Sequence, residues 1–249
     1  MHKKGSWGIM DLRRLPAIQL ALLLTLSAIA LSSVHAQTAA VEATPTLEDR
    51  FPTSRWESTI KGFEKADLEQ PPAPHSILFI GSSSIRMWDV ASAFPELSVI
   101  NRGFGGSHIA DSTAFVDRIV VPYRPRQIVF YAGDNDINSG IPPRVMRDHF
   151  KAFVQKVHQK LPEVPIIYIS IKTCHNRIKV LPQMEAANHL VKEYCETSPL
   201  LTFLDVDTPM RGTNNLPRKE LFLDDQLHLN KEGYALWNQL LRPLLTPEP

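Results

Sequence analysis

Three serines, Ser82, Ser83 and Ser84, follow Gly81 directly after the apolar run Ile77 to Ile80. A hydroxyl at the start of a helix that leaves a glycine turn sits where backbone N–H groups face an incoming anion. It becomes a nucleophile when an imidazole stands beside it, although serines in such a turn also serve as helix caps or loop filler. Far along the chain, "DDQLH" places Asp225 three residues before His228. At that spacing a carboxylate accepts from one ring nitrogen and leaves the other free to act as a base. Between these lie "GFGGS", where glycines allow close backbone approach around Gly106, and "GDND", where Asn135 carries a side-chain amide. A nucleophile, an oriented base and amide donors together describe acyl transfer.

Other chemistries fit less well. Asp224, Asp225 and His228 could ligate a metal, but no second histidine stands at ligand spacing and no HExxH occurs. "GFGGSH" has His108 where a dinucleotide fingerprint needs its third glycine, and "GSSSIRMW" lacks the lysine of a phosphate loop.

These residues need a scaffold that gathers them. Short Ile, Val and Phe runs recur at "SILFI", "LSVIN", "RQIVFYA", "VPIIYISI" and "LLTFLDV". Helical spacing appears between them at "SHIADSTAFVDRIV", "PPRVMRDHFKAFVQKVHQKL" and "LPQMEAANHLVKEYC", and afterwards at "NKEGYALWNQLLRPLL". Continuous apolar strands alternating with amphipathic helices predict a parallel sheet covered on both faces, a three-layer α/β/α sandwich. Ligands of such sheets bind beyond the carboxyl ends of the strands, and every residue named above falls there. A further helix is expected ahead of the first strand, with Trp56, Ile60 and Phe63 at helical spacing and Thr53 or Ser54 as its cap.

The start of the chain belongs to a different category. A basic segment, an uncharged apolar run and small residues around Ala36 describe a secretory signal peptide over residues 1–36, cleaved after Ala36, with a retained membrane anchor as the alternative. Residues 37–52 read as a flexible linker, and 53–249 as one domain. Export to the periplasm or the medium is the expected location. Without the leader, 27 Lys and Arg against 26 Asp and Glu become 23 against 25. A near-neutral chain has no basic stripe for nucleic acid. Cys174 follows a strand and Cys195 ends the next helix, so a helix length of roughly 20 Å separates them and both are expected to be free thiols. Nothing suggests a coiled coil, and a monomer is the default.

At these residues the sequence resembles the SGNH/GDSL hydrolase family: "IGSSS" at its nucleophile block, Gly106 in "GFGGS", Asn135 in "GDND", and Asp225 with His228 in "DDQLH". The resemblance runs from about Ile77 to Trp237, and is closer still to exported bacterial GDSL-type esterases or lipases carrying "GSSSIR", "NRGFGGS" and "YAGDND". It implies a flavodoxin-like SGNH hydrolase fold with a five-stranded parallel sheet. The family's Gly-Asp-Ser aligns with Gly81, Ser82 and Ser83, which makes Ser83 the nucleophile and Ser82 the replacement for the usual Asp; a slip of one residue would select Ser84. The same resemblance implies Ser83, His228 and Asp225 as catalytic triad. Its oxyanion hole would comprise the N–H groups of Ser83 and Gly106 and the Asn135 amide, with no metal and no organic cofactor. The implied activity is serine esterase chemistry on a small-molecule or carbohydrate ester, with short acyl or O-acetyl groups favoured. A lipid esterase or lysophospholipase, an acyltransferase, and a non-catalytic glycan-binding domain are the alternatives. Two loops, "KTCHNRIK" and "TPMRGTNNLPRKELFLDD", are expected to shape the pocket. Arg86, Arg102 and Arg177 are candidates to meet a negatively charged alcohol portion.

Overall fold

The β-rich runs of the chain become five strands: β1 (Ile77–Gly81), β2 (Val99–Gly103), β3 (Gln127–Tyr131), β4 (Ile166–Ile169) and β5 (Leu201–Leu204). The computed structural model describes residues 52–247. The leader expected over 1–36, and all of the linker over 37–52 except Pro52, lie outside the described residues. The strands pair in parallel in the order β2-β1-β3-β4-β5. Parallel neighbours need long crossovers, and these supply the helices. In chain order the helices are α1 (Glu57–Glu69), α2 (Ser83–Arg86), α3 (Val90–Ala93), α4 (Ile109–Ala114), α5 (Val116–Ile119), α6 (Asp134–Asn138), α7 (Pro143–Lys160), α8 (Leu181–Cys195) and α9 (Lys231–Leu241).

Side chains alternate across each strand, so one set faces each helical layer. Ile77, Phe79, Val129, Tyr131, Ile167 and Ile169 form a single buried cluster with Trp237 and Leu241 of α9. Trp237 is its keystone: fully buried, with ring centroids 5.1 Å from Tyr131 and 5.4 Å from Trp88. On the opposite face, Phe130 of β3 packs 4.4 Å from Phe153, and Tyr168 of β4 packs 4.6 Å from Phe150. Those phenylalanines belong to the stripe Met146, Phe150, Phe153, Val154 and Val157 that α7 buries, which is helical spacing fulfilled. The expected α/β/α sandwich around a five-stranded parallel sheet is therefore the observed fold. Cys174 and Cys195 are both buried and free, as their separation implied.

Two local expectations change. The segment 107–120, read as one helix, divides into α4 and α5 at Phe115, whose buried ring turns onto Phe104 at 6.2 Å. At the front of the domain, Thr53–Trp56 is a 3-10 turn and the α-helix begins only at Glu57. Trp56 consequently leaves the helix stripe and meets Phe104 edge-on at 5.6 Å, while Ile60 stays in the core. Charges fix this helix to the domain. Glu57 and Glu64 each approach Arg118 of α5 to 2.7 Å, and Asp67 accepts from Arg102 of β2 and, at 2.5 Å, from the Tyr123 hydroxyl.

The exit of β1 is the tightest point of the sheet. Gly81 has φ of 141°, and a Cβ placed on it would lie 1.9 Å from the Tyr131 carbonyl oxygen of β3. Gly81→Ala should therefore cost at least about 2 kcal/mol through backbone strain and overpacking, read as a fall in denaturation midpoint. Trp237→Ala should cost about 3–5 kcal/mol by emptying the centre of one core layer. A loss below about 1 kcal/mol in either variant would contradict this account of the packing.

Candidate active site

Backbone bonds at the ends of three strands define the site. The Ser82 N–H donates to the Tyr131 carbonyl at 2.9 Å, and the Gly81 carbonyl accepts the Phe104 N–H at 2.9 Å. The chain leaving β1 is thereby held between the exits of β3 and β2. It turns at once into α2, whose first N–H groups have no acceptor within the helix. All three serines are buried, yet their hydroxyls differ. Among the described residues Ser82 Oγ and Ser84 Oγ meet no hydrogen-bond partner, whereas Ser83 Oγ lies 3.0 Å from His228 Nε2. The geometry thus singles out Ser83.

His228 is delivered by a short loop that folds on itself. The Leu223 N–H donates to the His228 carbonyl at 2.8 Å, and Phe222 bridges Leu229 in antiparallel fashion. Asn230 then caps α9 by accepting the Gly233 N–H at 3.0 Å, and its amide donates to the carbonyls of Glu220 and Phe222. Within the loop one Asp225 oxygen accepts the N–H groups of Leu227 and His228, both at 2.9 Å, and the other lies 2.6 Å from His228 Nδ1. Partial burial pushes the Asp225 carboxyl up; the imidazole bond and the two N–H groups outweigh it and hold the carboxyl at about 2. Asp225 is thus ionised at neutral pH and orients the ring.

Asn135 sits in the first turn of α6, after β3. Its side-chain oxygen accepts from Arg177 at 2.7 Å and its amide donates to the Ser107 carbonyl at 3.0 Å, so both ends of the amide are fixed. Arg177 in turn pairs with the buried Asp134 at 3.1 Å, and Lys172 stands 3.8 Å from the same carboxylate. Burial pushes Asp134 up, but Lys172, Arg177 and the Asn135 N–H reverse the direction and leave its carboxyl below the ordinary range. Gly106, at φ of 81°, is exposed and directly precedes Ser107, whose carbonyl the Asn135 amide bonds.

Ser83, Gly106, Asn135 and His228 share one cleft of about 470 Å³, and Trp56, Arg86 and Arg177 also line it. All the residues read from the sequence as triad and oxyanion hole are therefore brought together. Other expectations are corrected. Arg102 is held by Asp67, Tyr123 and the Asn101 carbonyl and does not line the cleft. Arg177 does line it, but its charge is already matched by Asp134. Of the first expected pocket loop Arg177 lines the cleft while Lys172, Thr173 and Cys174 are buried, and no residue of the second, 208–225, lines it. Instead the front of the domain supplies Trp56, which its helical spacing marked as a packing residue, and Thr59. The Asp134, Lys172 and Arg177 network also went unread. The signal was available, since an acid after β3 and cations after β4 follow adjacent strands. Asp224 is exposed, and no group of three or more His, Cys, Asp or Glu among the described residues is placed to hold a metal.

The sequence profile described as the GDSL-like Lipase/Acylhydrolase family matches residues 84–236, more than half of the chain, starting one residue after Ser83. None of the curated proteins matches. Among solved structures the chain is similar to a GDSL-like lipase from Bacteroides thetaiotaomicron VPI-5482, with 15% identity and a TM-score of 0.66 over 75% of this chain and 97% of that one. It is similar also to a variant of Axe2, an acetyl-xylooligosaccharide esterase from Geobacillus Stearmophilus (15% identity, TM-score 0.57, 70% of this chain and 96% of that one). A third likeness is to a carbohydrate esterase family 3 protein from Talaromyces cellulolyticus (15% identity, TM-score 0.54, 68% and 94%). At these identities the structural likeness is one of fold. With the profile spanning strands β2 to β5 and the loops that carry Asn135, Asp225 and His228, the chain belongs to the GDSL-like lipase/acylhydrolase family and is a carboxylic ester hydrolase.

Proposed function

We propose that the chain is an exported serine esterase that cleaves short-chain acyl or O-acetyl esters of carbohydrates through an acyl-enzyme. The observation that carries this reading is the continuous chain Asp225, His228, Ser83, with contacts of 2.6 and 3.0 Å. His228 Nε2 takes the Ser83 proton as Oγ attacks the ester carbonyl. Negative charge then gathers on the carbonyl oxygen, and the N–H groups of Ser83 and Gly106 and the Asn135 amide receive it. Collapse of this intermediate breaks the bond to the alcohol, which leaves with the proton from His228. Water, deprotonated by the same imidazole, attacks the acyl-enzyme and regenerates Ser83.

The carbohydrate preference rests on the cleft. Trp56 offers an aromatic wall, Leu227 adds an apolar edge, and Thr59, Arg86, Asn135 and Arg177 supply polar groups, a combination suited to a sugar ring. The fold neighbours from Geobacillus Stearmophilus and Talaromyces cellulolyticus are an acetyl-xylooligosaccharide esterase and a carbohydrate esterase, which agrees with this choice. Export rests on the charged, apolar and small-residue order of residues 1–36, followed by the linker over 37–52 and a single hydrolase domain over 53–249.

Ser83→Ala should lower turnover of a short-chain aryl acetate by about 10⁴-fold or more while leaving the melting temperature near that of the wild type. Retained activity would remove Ser83 from the mechanism. Asn135→Ala should lower kcat by about 10²–10³-fold, with a much smaller change in KM, because its donor acts on charge that exists only in the transition state. For Asp225 the folded carboxyl lies below its ordinary value, so its stabilising contribution is complete above about pH 4 and fades as the pH falls towards about 2. The melting-temperature difference between wild type and Asp225→Asn should thus be constant from about pH 5 to 8 and shrink in acid. A difference that grows in acid would reverse the assignment.

A further inference from the structure

Arg86 stands apart from most other arginines of the domain. Arg55, Arg102, Arg118, Arg177, Arg211 and Arg242 each hold a carboxylate. Arg86 is exposed and lines the cleft, and among the described residues its guanidinium forms no hydrogen bond or ion pair. It is not there by accident of a long side chain. A Cβ on Gly105 would fall 2.8 Å from Arg86 Nε, so the guanidinium lies directly against the glycine backbone that precedes Gly106. Ser83 and Arg86 are the first and last residues of α2, three apart on a helical turn, which places them on one face with Cβ atoms about 5–6 Å from each other.

The rest of the cleft leaves this charge uncompensated. None of its lining residues among those described is Asp or Glu; the Asp225 carboxylate is engaged behind the imidazole, and Arg177 is matched by Asp134. A guanidinium facing a recess without counter-charge attracts an anion, and its planar fork suits carboxylate or phosphate oxygens. We infer that Arg86 is a specificity-determining residue and that the preferred ester carries a carboxylate or phosphate on the portion lying over α2, within one helical turn of the attacking oxygen. This inference rests on the serine-esterase reading and narrows it to esters of acidic alcohols, acidic sugars included. The substrate's anion would meet Arg86 equally in the bound ester and in the transition state, so discrimination arises in binding and shows in KM.

The test compares three acetate esters of one shape: phenyl acetate, 4-acetoxybenzoate and 4-acetoxyphenyl phosphate. The wild type should favour at least one anionic ester over phenyl acetate by about tenfold or more in kcat/KM, and added salt should erode that ratio. The member of the pair that gains identifies the anion as carboxylate or phosphate. Arg86→Gln should bring the ratio to about one, chiefly through a rise in KM for the charged ester, and Arg86→Lys should restore part of it. A wild-type ratio near one, a ratio unchanged in Arg86→Gln, or an equal loss on neutral and charged esters would each overturn the inference. Ser83→Ala on phenyl acetate separates the two levels. If that variant is inactive and the charge ratio is flat, only the role of Arg86 fails; if it is active, the esterase mechanism itself fails.

Discussion

The contact between His228 Nε2 and Ser83 Oγ joins residues 145 positions apart, and the rest of the domain is arranged so that this contact forms. A hydrogen bond of 3.0 Å tolerates little displacement at either end. At the serine end, the constraint is met by Gly81: its backbone passes so close to Tyr131 that the chain leaves β1 in one direction only. At the histidine end, the loop is bonded to itself and then to the first turn of α9, which the buried Trp237 holds on the sheet. Core packing on one face of the sheet and hydrogen bonding beyond the ends of its strands thus act on the same two atoms.

A second set of charges performs the equivalent task for Asn135. Asp134 is buried with Lys172 and Arg177, a placement that is costly unless each charge is paired. What the arrangement secures is orientation. Arg177 can donate only to the amide oxygen of Asn135, so the amide nitrogen must face the other way, toward the Ser107 carbonyl and the cleft. Asn135 thereby lines the cleft from the exit of β3, as Ser83 and Gly106 do from the exits of β1 and β2.

Most of this was legible from the chain because parallel sheets obey strict placement rules. Apolar runs mark the strands and the residues after them mark the site; Ser83, Gly106, Asn135 and His228 line one cleft there, with Asp225 behind the imidazole. The choice of Ser83 over its neighbours came from resemblance, since spacing alone does not tell which of three adjacent hydroxyls points outward. What stayed hidden depends on tertiary proximity. Trp56 looked like one more member of an amphipathic stripe, and only the 3-10 turn ahead of α1 turns it toward the cleft. Arg102 and Arg177 read as candidates for an anionic part of the substrate, because a sequence does not display the acids that reach them from other elements.

The helix that follows Trp56 is fastened to the domain by ion pairs along its flank, through Glu57, Glu64 and Asp67, and by one buried isoleucine. None of those fasteners touches Ser83, His228 or Asp225. One side of the cleft is therefore a separable part, free to be exchanged or reshaped while the reacting groups keep their positions, and breadth of ligand choice in this scaffold can be tuned from a region that chemistry never enters.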